Sequence, residues 1–342
     1  MNKNSNEGTN RQVFLKSIPS GIAGPQNFEV KQTKIPVTGP NEVLVQAHYL
    51  TIDAALRLIV RDSDDFLFRV RPGDIINNTF AGQVVESIHP NFKAGDYVLA
   101  PLGVQNYGIS NGEDLEKVDT DLAPLGSWLG GFGVSGLTAY FAVLNECRPQ
   151  PGQTVLINGA AGAVGSMAGQ FAKLAGAKVI GLTSSKDKCS WLINELGYDI
   201  AINYNDPDWT AQLEKAAPDR LDVIFDNVGG TILNESLRLI GMRGIVLLCG
   251  STSQYTEDNM TGPNNYIWLG TMRARMQGFV IFDYAEGYQQ ARLNMAKWVS
   301  EGKLKLPEHV IEGDVDAFPS AFQSLYEGEN FGKMLVRLPA AE

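Results

Sequence analysis

Cysteine and histidine are scarce in this sequence of 342 residues, which has three of each. Cys147, Cys189 and Cys249 lie far apart and form no Cys-x-x-Cys pair. An odd number of isolated cysteines is typical of a reducing compartment and cannot form a disulfide framework. A zinc site takes several cysteine or histidine ligands, and this sequence offers no such cluster. We therefore expect no bound metal and no zinc chemistry.

Positive charge is also in deficit: 28 Lys and Arg against 38 Asp and Glu leave a formal net charge of −10. Binding to nucleic acid or to an anionic membrane requires clustered cations. No apolar run reaches the ~18 residues that cross a bilayer. Residues 1–10 (MNKNSNEGTN) lack the apolar centre of a signal peptide and read as a disordered tail. The sequence predicts a soluble cytoplasmic protein without a nucleic-acid or membrane partner.

The residues that are abundant predict a large folded core. Hydrophobic residues make up 44% of the chain, 36 residues are glycine, and the length fits two domains. Up to about residue 130, short β runs such as 42–51 and 82–88 are separated by Gly, Pro and Asn. This pattern is typical of a mostly-β domain, which we place at residues 1–130.

The pattern changes near residue 135, where apolar runs alternate with segments of helical length. The runs lie at 154–158, 178–182, 201–204, 223–226, 245–249 and 278–282. Continuous apolar strands separated by helices indicate a parallel sheet covered on both faces. We therefore predict an α/β fold with a doubly wound (Rossmann) domain over 131–302. The segment 303–342 is expected to return to the first domain.

A glycine-rich turn follows the first of these strands, with the sequence AAGAVG at 160–165. It keeps the second and third glycines of the dinucleotide motif GxGxxG and replaces the first by alanine. Gly162 would let the backbone approach a pyrophosphate, together with Ala163 and Val164 at the helix start, and Gly165 would let helix and strand pack closely. The flanking strand and helix are the context that the motif requires. The alternative is a tightly packed helix start that binds nothing.

The choice between NAD and NADP depends on the end of the next strand. An NAD site has an acidic residue there, whereas this chain reads TSSKDK at 183–188. Ser184, Lys186 and Lys188 offer the hydroxyl and cations that suit a 2′-phosphate, so the sequence favours NADP(H). The alternative is that Ser185 only caps the next helix and that the lysines form a solvated face.

Motifs along the second half of the chain resemble those of a known family. They are GLTAYFAVL at 136–144, AAGAVGS at 160–166, ELGYDIAINY at 195–204, FDNVGG at 225–230, QGFV at 277–280 and ENFGKMLV at 329–336. They resemble the zinc-independent medium-chain dehydrogenase/reductase superfamily, in the branch of prostaglandin reductases, alkenal double-bond reductases and bacterial curcumin reductases. The resemblance implies that the first domain is GroES-like and that the protein forms a homodimer.

The resemblance also implies which residues contact NADP(H). They are Gly162, Ala163, Val164 and Gly165 at the pyrophosphate, Lys188 and Tyr204 at the 2′-phosphate, Asn227 as a hydrogen-bond partner, and Thr138, Cys249, Ser251, Tyr255, Phe279, Val280, Ile281 and Asn330 along the nicotinamide half. Several of these residues have explanations that need no ligand. Tyr204 could be packing, Asn227 a turn residue, Asn330 a helix cap and Cys249 a core thiol.

The sequence contains no evident catalytic triad, carboxylate pair or metal cluster, so a cofactor would carry the difficult step. The branch resemblance implies NADPH-dependent reduction of the C=C bond of α,β-unsaturated aldehydes and ketones. Hydride would reach the β-carbon, and a hydrogen-bond donor would hold the enolate before a Tyr or solvent protonates the α-carbon. Tyr255 is the first candidate donor, and Tyr266, in a loop that could form part of a lid, is the second. Either could instead be an ordinary pocket-lining tyrosine.

The first domain departs from the family pattern. Residues 53–57 read DAALR where the family commonly has DPYMR, so Ala55 replaces a tyrosine. Phe66 stands where a second tyrosine is common, and Val104-Gln105 replaces a Trp-Gln pair. These changes predict a larger apolar pocket or a changed activity. A quinone oxidoreductase, an enzyme of a specialised biosynthetic pathway and a non-catalytic NADPH sensor stay open as alternatives.

The strand predicted at 278–282 would be an exposed edge of the parallel sheet. Proteins normally cover such edges. Pairing of two copies across a two-fold axis would cover both, which agrees with the homodimer implied by the resemblance.

Overall fold

The computed structural model describes residues 8–62, 69–257 and 260–339. Contacts between residues divide the chain into two compact units. The first contains the chain up to residue 129 together with 309–329 and the residues from 334 onward, and the second contains 130–308 and 330–333. Each unit has its own sheet and its own apolar core.

The first unit consists mainly of antiparallel strands. Its elements up to residue 129 include β1 (Thr9–Leu15), β2 (Phe28–Lys34), β3 (Val43–Thr51), α1 (Leu56–Ile59), β4 (Phe80–Ser87), β5 (Tyr97–Ala100), β6 (Tyr107–Ser110) and β7 (Glu116–Lys117). Strands β1 and β2 form an antiparallel pair, and β3 pairs with both β4 and β6. This is the mostly-β architecture that the short runs and turn residues predict.

Helices and parallel strands alternate in the second unit, as predicted. Its elements are α2 (Val134–Phe141), a π-helix (Ala142–Cys147), β8 (Thr154–Asn158), α3 (Ala163–Leu174), β9 (Lys178–Thr183), α4 (Lys186–Leu196), β10 (Ile200–Asn203), α5 (Trp209–Ala216), β11 (Leu221–Asp226), α6 (Gly230–Leu237), β12 (Ile240–Leu248), α7 (Ile267–Met272), β13 (Arg275–Gly278) and α8 (Tyr288–Ser300).

The end of the chain adds β14 (Glu308–Glu312), α9 (Phe318–Glu327) and β15 (Lys333–Arg337). Within the described residues, β14, β15, β3, β4, β5 and β7 form one sheet in this order, with β6 also paired to β3. Phe318 and Phe322 of α9 are fully buried and meet Phe28 edge-to-face, with ring centroids 6.2 and 6.3 Å apart. The C-terminal helix therefore packs into the core of the first unit.

The parallel sheet has the strand order β10-β9-β8-β11-β12-β13 among the described strands. The chain first adds strands on one side of β8 and then continues on the other side with β11. In open parallel sheets, ligands bind outside the carboxyl ends of the strands at this point of reversal. The doubly wound fold is thus confirmed, and it directs attention to the ends of β8 and β11.

Close packing around Tyr198 accounts for some of the glycines. Tyr198 is 2% exposed, and its hydroxyl donates a hydrogen bond of 2.7 Å to the carbonyl oxygen of Gly165. A Cβ at Gly169 would lie 2.0 Å from Cζ of Tyr198, and a Cβ at Gly181 would lie 2.9 Å from its ring. The absence of side chains there lets α3 and β9 approach the tyrosine.

The predicted tail over residues 1–10 is wrong at its end, because Thr9 and Asn10 belong to β1. Asn10 is 2% exposed, and its side chain bonds both the carbonyl oxygen and the N–H of Tyr107, at 2.9 and 3.0 Å. A side-chain amide that pairs with the backbone in this way can be buried at little cost. Because Asn10 is polar, the start of β1 did not read as a strand in the sequence. Residues 1–7 lie outside the described residues.

The last strand of the parallel sheet is also displaced from its predicted position. Strand β13 ends at Gly278, where the prediction begins, and its residues pair with β12 from Ile245 to Leu248. The apolar residues that follow it are largely exposed, with Val280 at 54% and Phe282 at 72%. An edge strand is buried less than a central one and can be polar, so the apolar run did not mark it.

We predict that Gly169→Ala lowers the free energy of unfolding by about 1–3 kcal/mol, because the added methyl group overlaps the buried ring of Tyr198. Gly270→Ala is the matched control, since Gly270 also lies in a helix but has no atom near its Cβ position. It should raise stability by about 0.5–1 kcal/mol. Urea denaturation checks both changes, and equal effects would contradict the packing argument.

Candidate functional site

The glycine-rich turn joins β8 to α3. Gly159 has a φ of +68°, a conformation that favours glycine, and it makes the tight turn that the first glycine of a dinucleotide motif generally makes. Gly162 is the extended N-cap of α3 and forms no side-chain cap. A Cβ at Gly165 would lie 2.3 Å from the carbonyl oxygen of Gly159, so its packing role is confirmed. The first N–H groups of α3, from Ala163 and Val164 onward, have no partners within the helix and can bind an anion.

Residues 330–333 pass beside this turn. The N–H of Gly332 donates a hydrogen bond of 2.8 Å to the carbonyl oxygen of Ala161. Asn330 is 5% exposed, and its Nδ2 donates to the carbonyl oxygen of Gly332 at 2.8 Å. Helix α9 ends earlier, with Gly328 as its C-cap, so the alternative explanation of Asn330 as a helix cap is wrong. Asn330 instead shapes the segment that covers the turn.

Lys188 is a buried cation in the first turn of α4. It is 6% exposed, and its Nζ lies 5.8 Å from the ring centroid of Phe331. Burial lowers the pKa of Lys188, and no carboxylate within the described ranges forms an ion pair with it. A buried ammonium without a counter-ion is costly, so this position fits an anionic ligand. Ser185 does cap α4, but of the two lysines only Lys186 is exposed, so Lys188 does not belong to a solvated face.

Tyr204 and Ser184 lie at the same edge of the sheet, after β10 and β9. The N–H of Tyr204 donates to the carbonyl oxygen of Thr183 at 2.9 Å. Burial raises the pKa of Tyr204, and a hydrogen bond from Ser184 partly offsets this rise. Ser184 therefore lies near the hydroxyl of Tyr204 at the end of β9, four residues before Lys188.

A fully buried polar pair occupies the point where the strand order reverses. Asn158 ends β8 and Asp226 ends β11, and Nδ2 of Asn158 donates to Oδ1 of Asp226 at 2.7 Å. Burial raises the pKa of Asp226 to about 6, although hydrogen bonds from Asn158, Val228 and Gly229 lower it. The backbone oxygen of Asp226 accepts bonds from the N–H groups of the two residues that follow β12. Asp226 thus joins the ends of β8, β11 and β12.

Neither residue of this pair was predicted from the sequence, which pointed to the next residue, Asn227. The observable pattern was a polar residue closing each of two neighbouring apolar strands, TVLIN and LDVIFD. The side-chain Nδ2 of Asn227 donates weakly to the carbonyl oxygen of Asn158 at 3.4 Å. The backbone carbonyl oxygen of Asn227 accepts from the N–H and the hydroxyl of Thr252, both at 3.1 Å. It links the turn after β11 to the loop after β12.

The loop after β12 carries three of the expected site residues. Burial raises the pKa of Cys249 to about 12, so this half-buried thiol stays protonated at neutral pH. The hydroxyl of Tyr255 accepts a hydrogen bond of 3.2 Å from the N–H of Ser251, and burial raises the pKa of Tyr255. The backbone and the side chain of Ser251 are both hydrogen-bond partners of Tyr255. Tyr266, the second candidate donor, is 64% exposed.

The remaining expected contacts lie on α2 and after β13. Thr138 is 8% exposed within α2. The ring of Phe279 stacks on Tyr284, with ring centroids 5.3 Å apart. Ile281 is 6% exposed, whereas Val280 is 54% exposed. Of these two residues, Val280 therefore faces solvent and Ile281 faces the protein interior.

In the first unit, Ala55 is exposed immediately before α1. The hydroxyl of Tyr326 donates to the carbonyl oxygen of Ala54 at 2.7 Å. Arg57, which is 4% exposed, donates from Nε to the carbonyl oxygen of Gly21 at 2.8 Å. The methyl group of Ala55 therefore sits on a loop that is fixed from both sides.

The other departures from the family pattern in the first unit are Phe66 and the pair Val104-Gln105. Phe66 lies outside the described residues. Val104 is fully buried, and Oε1 of Gln105 accepts hydrogen bonds from Asn10 and Gln12 at 3.2 and 2.7 Å. These two residues take part in the packing of β1 rather than forming a free pocket wall.

The described residues contain no group of three or more His, Cys, Asp or Glu that could hold a metal ion. In the same ranges, no helix combines the length and apolar character needed to cross a bilayer.

The raised pKa of Asp226 predicts a pH-dependent stability. The native state binds this proton more readily than the unfolded chain, so the stabilisation is complete below a pH of about 4 and is lost as the pH rises through 6. Relative to Asp226→Asn, which does not titrate, the native protein should lose about 1–2 kcal/mol of unfolding free energy between pH 5 and pH 7.5. Denaturation at both pH values checks this, with Asp187→Asn as an exposed control. A constant difference would contradict it.

Comparison with known proteins identifies the family. Residues 11–118 match the family described as the N-terminal domain of oxidoreductase, and residues 163–298 match the zinc-binding dehydrogenase family. Prostaglandin reductase 1 of Bos taurus is 40% identical over 330 residues, which cover 94% of this chain and 97% of the relative. The NADPH-dependent curcumin reductase of Escherichia coli is 34% identical over 336 residues, covering 96% and 97%.

The fold agrees with a solved relative. The crystal structure of CurA from Vibrio vulnificus in complex with NADPH superposes with a TM-score of 0.92 at 34% identity, covering 97% of this chain and all of the other. The chain belongs to the medium-chain dehydrogenase/reductase superfamily, in the branch of the prostaglandin, curcumin and 2-alkenal reductases.

Proposed function

We propose that this protein is an NADPH-dependent reductase of the C=C bond of α,β-unsaturated aldehydes and ketones. The observation that carries the proposal is Lys188, a buried cation without a counter-ion at the end of β9, in a chain that belongs to a reductase branch. The cofactor is NADP(H). Its 2′-phosphate supplies the charge that Lys188 lacks, with the hydroxyl groups of Ser184 and Tyr204 as further donors.

The rest of the cofactor follows the carboxyl edge of the parallel sheet. Gly162 to Gly165 and the N–H groups at the start of α3 hold the pyrophosphate. Thr138, Asn227, Ser251, Asn330 and residues 279–281 contact the nicotinamide half. The proposed reaction uses no metal, which agrees with the scarcity of histidine and cysteine in the sequence.

Bound NADPH supplies a hydride to the substrate. Tyr255 donates a hydrogen bond to the carbonyl oxygen, where negative charge develops. Because burial raises the pKa of Tyr255, its phenol stays protonated at neutral pH, and Ser251 orients its oxygen. Tyr255 or a water molecule then protonates the α-carbon. Tyr266 is the second candidate for this role.

The substrate is a small apolar carbonyl compound. Ala55 replaces a bulkier side chain on a loop that is held by Tyr326 and Arg57, so the missing volume is not refilled by movement of the loop. This favours bulky substrates, such as an aryl enone, over short alkenals.

The active form is a homodimer in this proposal. Strand β13 is the outer strand of the described sheet, and apolar side chains close to it in the chain are exposed, with Ile267 at 65% and Phe282 at 72%. A second copy would cover both the open strand edge and these side chains.

The proposed function is tested by following NADPH oxidation at 340 nm with a medium-chain 2-alkenal, an aryl enone, a simple quinone and a saturated aldehyde. Turnover of the enone and the alkenal, but not of the saturated aldehyde, is expected. Turnover of the quinone alone would replace the proposal by a quinone oxidoreductase. Tight binding of NADPH without any turnover would favour a sensor.

Lys188→Ala is expected to raise the KM for NADPH by about 10- to 100-fold, because it removes a charged hydrogen bond to the 2′-phosphate. The KM for NADH, which lacks this phosphate, should stay the same. Lys215→Ala is the matched control, because Lys215 is an exposed lysine on another helix, α5. Equal effects on the two cofactors would contradict the assignment of Lys188.

Tyr255→Phe is expected to lower kcat for the enone at least about tenfold while NADPH affinity changes little, because only the group that meets the developing enolate is lost. Tyr266→Phe serves as the comparison, since Tyr266 is the alternative donor. Steady-state kinetics and NADPH titration check both variants. An unchanged kcat for Tyr255→Phe would exclude Tyr255 as the donor.

A further inference from the structure

Three aromatic rings connect α2 with the segment after β13. The ring of Phe279 stacks on Tyr284, with centroids 5.3 Å apart and ring planes at 29°. Tyr284 in turn stacks on Phe141, with centroids 5.0 Å apart and planes at 30°. Phe141 ends α2, the helix that contains Thr138. The stack therefore links two segments that we expect at the nicotinamide half of the cofactor.

One carboxylate holds this arrangement from both sides of Phe279. Oε1 of Glu146 accepts a hydrogen bond from the hydroxyl of Tyr284, and Oε2 accepts one of 2.7 Å from Nε2 of Gln277. Gln277 lies in β13, two residues before Phe279. Nε of Arg275 donates to Oε1 of Gln277 at 3.1 Å, which fixes the orientation of this amide. Both oxygens of Glu146 are thus occupied by the segment on which Phe279 lies.

The backbone that carries Glu146 is unusual. It belongs to the π-helix Ala142–Cys147, in which the N–H of Arg148 bonds the carbonyl oxygen of Val143 at 2.8 Å, five residues earlier. Such wide turns are rare, are frequent at functional sites, and change the direction in which a side chain leaves the helix. Here Glu146 is directed to Gln277 and Tyr284. Burial and the Glu146 carboxylate raise the pKa of Tyr284 to about 12, so the donor keeps its proton.

We propose that Glu146 is a positioning residue for the nicotinamide half of NADPH, which it orders through Tyr284, Gln277 and Phe279. This inference rests on the proposed function. Glu146 acts through Phe279 and the residues after it, and it contacts neither substrate nor cofactor. Without the carboxylate, the aromatic stack would lose its anchor on the π-helix, while the turn around Gly162 and the site at Lys188 would keep all their own contacts.

The test compares two ligands that share the adenosine end but differ in the nicotinamide end, NADPH and 2′,5′-ADP. Glu146→Ala and Tyr284→Phe should each weaken NADPH binding about five- to tenfold, less than the loss of a charged hydrogen bond made to the cofactor itself, because Glu146 acts indirectly. Their affinity for 2′,5′-ADP should equal that of the unmodified protein. Tyr284→Phe keeps the ring stack, so it remains informative if Glu146→Ala does not fold. Because the two residues act together, the double variant should be no weaker than Glu146→Ala alone.

Glu195→Gln is the control for loss of a carboxylate, because Glu195 is 55% exposed and pairs with Lys305 at the surface. It should bind both ligands normally. Unchanged NADPH affinity in Glu146→Ala and Tyr284→Phe would overturn the proposal, as would a parallel loss of 2′,5′-ADP affinity, which indicates a general structural role. If the unmodified protein binds neither ligand, the proposed function fails instead.

Discussion

A buried carboxylate at the reversal of the strand order is the constraint on which the described site depends. Asp226 is fully buried, and its oxygens accept hydrogen bonds from Asn158, from the turn after β11 and from the loop after β12. These bonds fix the carboxyl ends of three strands relative to one another. A charged group in this position is costly at neutral pH, as its raised pKa indicates. The carboxylate of Asp226 bonds Asn158 and the turn after β11, whereas its backbone carbonyl bonds the loop after β12.

The site formed at this edge offers an anion two different environments. The start of α3 provides backbone N–H groups without a capping side chain, and the start of α4 provides the buried ammonium of Lys188. In both places the described part of the chain presents hydrogen-bond donors without a protein acceptor, so an anionic ligand can bind there. NADPH carries phosphates that match both environments. Membership in the reductase branch and the geometry of this edge therefore favour the same cofactor.

Most of the second unit could be predicted from the sequence because its central strands are apolar throughout and its helices are separated by clear turns. The strand at 154–158 has the predicted bounds. Prediction failed where burial does not follow hydrophobicity, as at Asn10, whose amide pairs with the backbone of Tyr107, and at the edge strand β13. Lys188 was expected at the 2′-phosphate because of its charge, but its burial could not be predicted from the sequence. Asp226 and Glu146 were overlooked because their roles depend on partners 68 and 131 residues away in the chain.

The most direct test of the proposed reaction uses NADPH labelled with deuterium at the transferred position of nicotinamide C4 and an aryl enone as substrate. The product is analysed by mass spectrometry and NMR. Hydride transfer to the conjugated double bond predicts a saturated ketone with one deuterium on the β-carbon. Deuterium on the carbonyl carbon of an unsaturated alcohol, or a product without deuterium, would contradict the account.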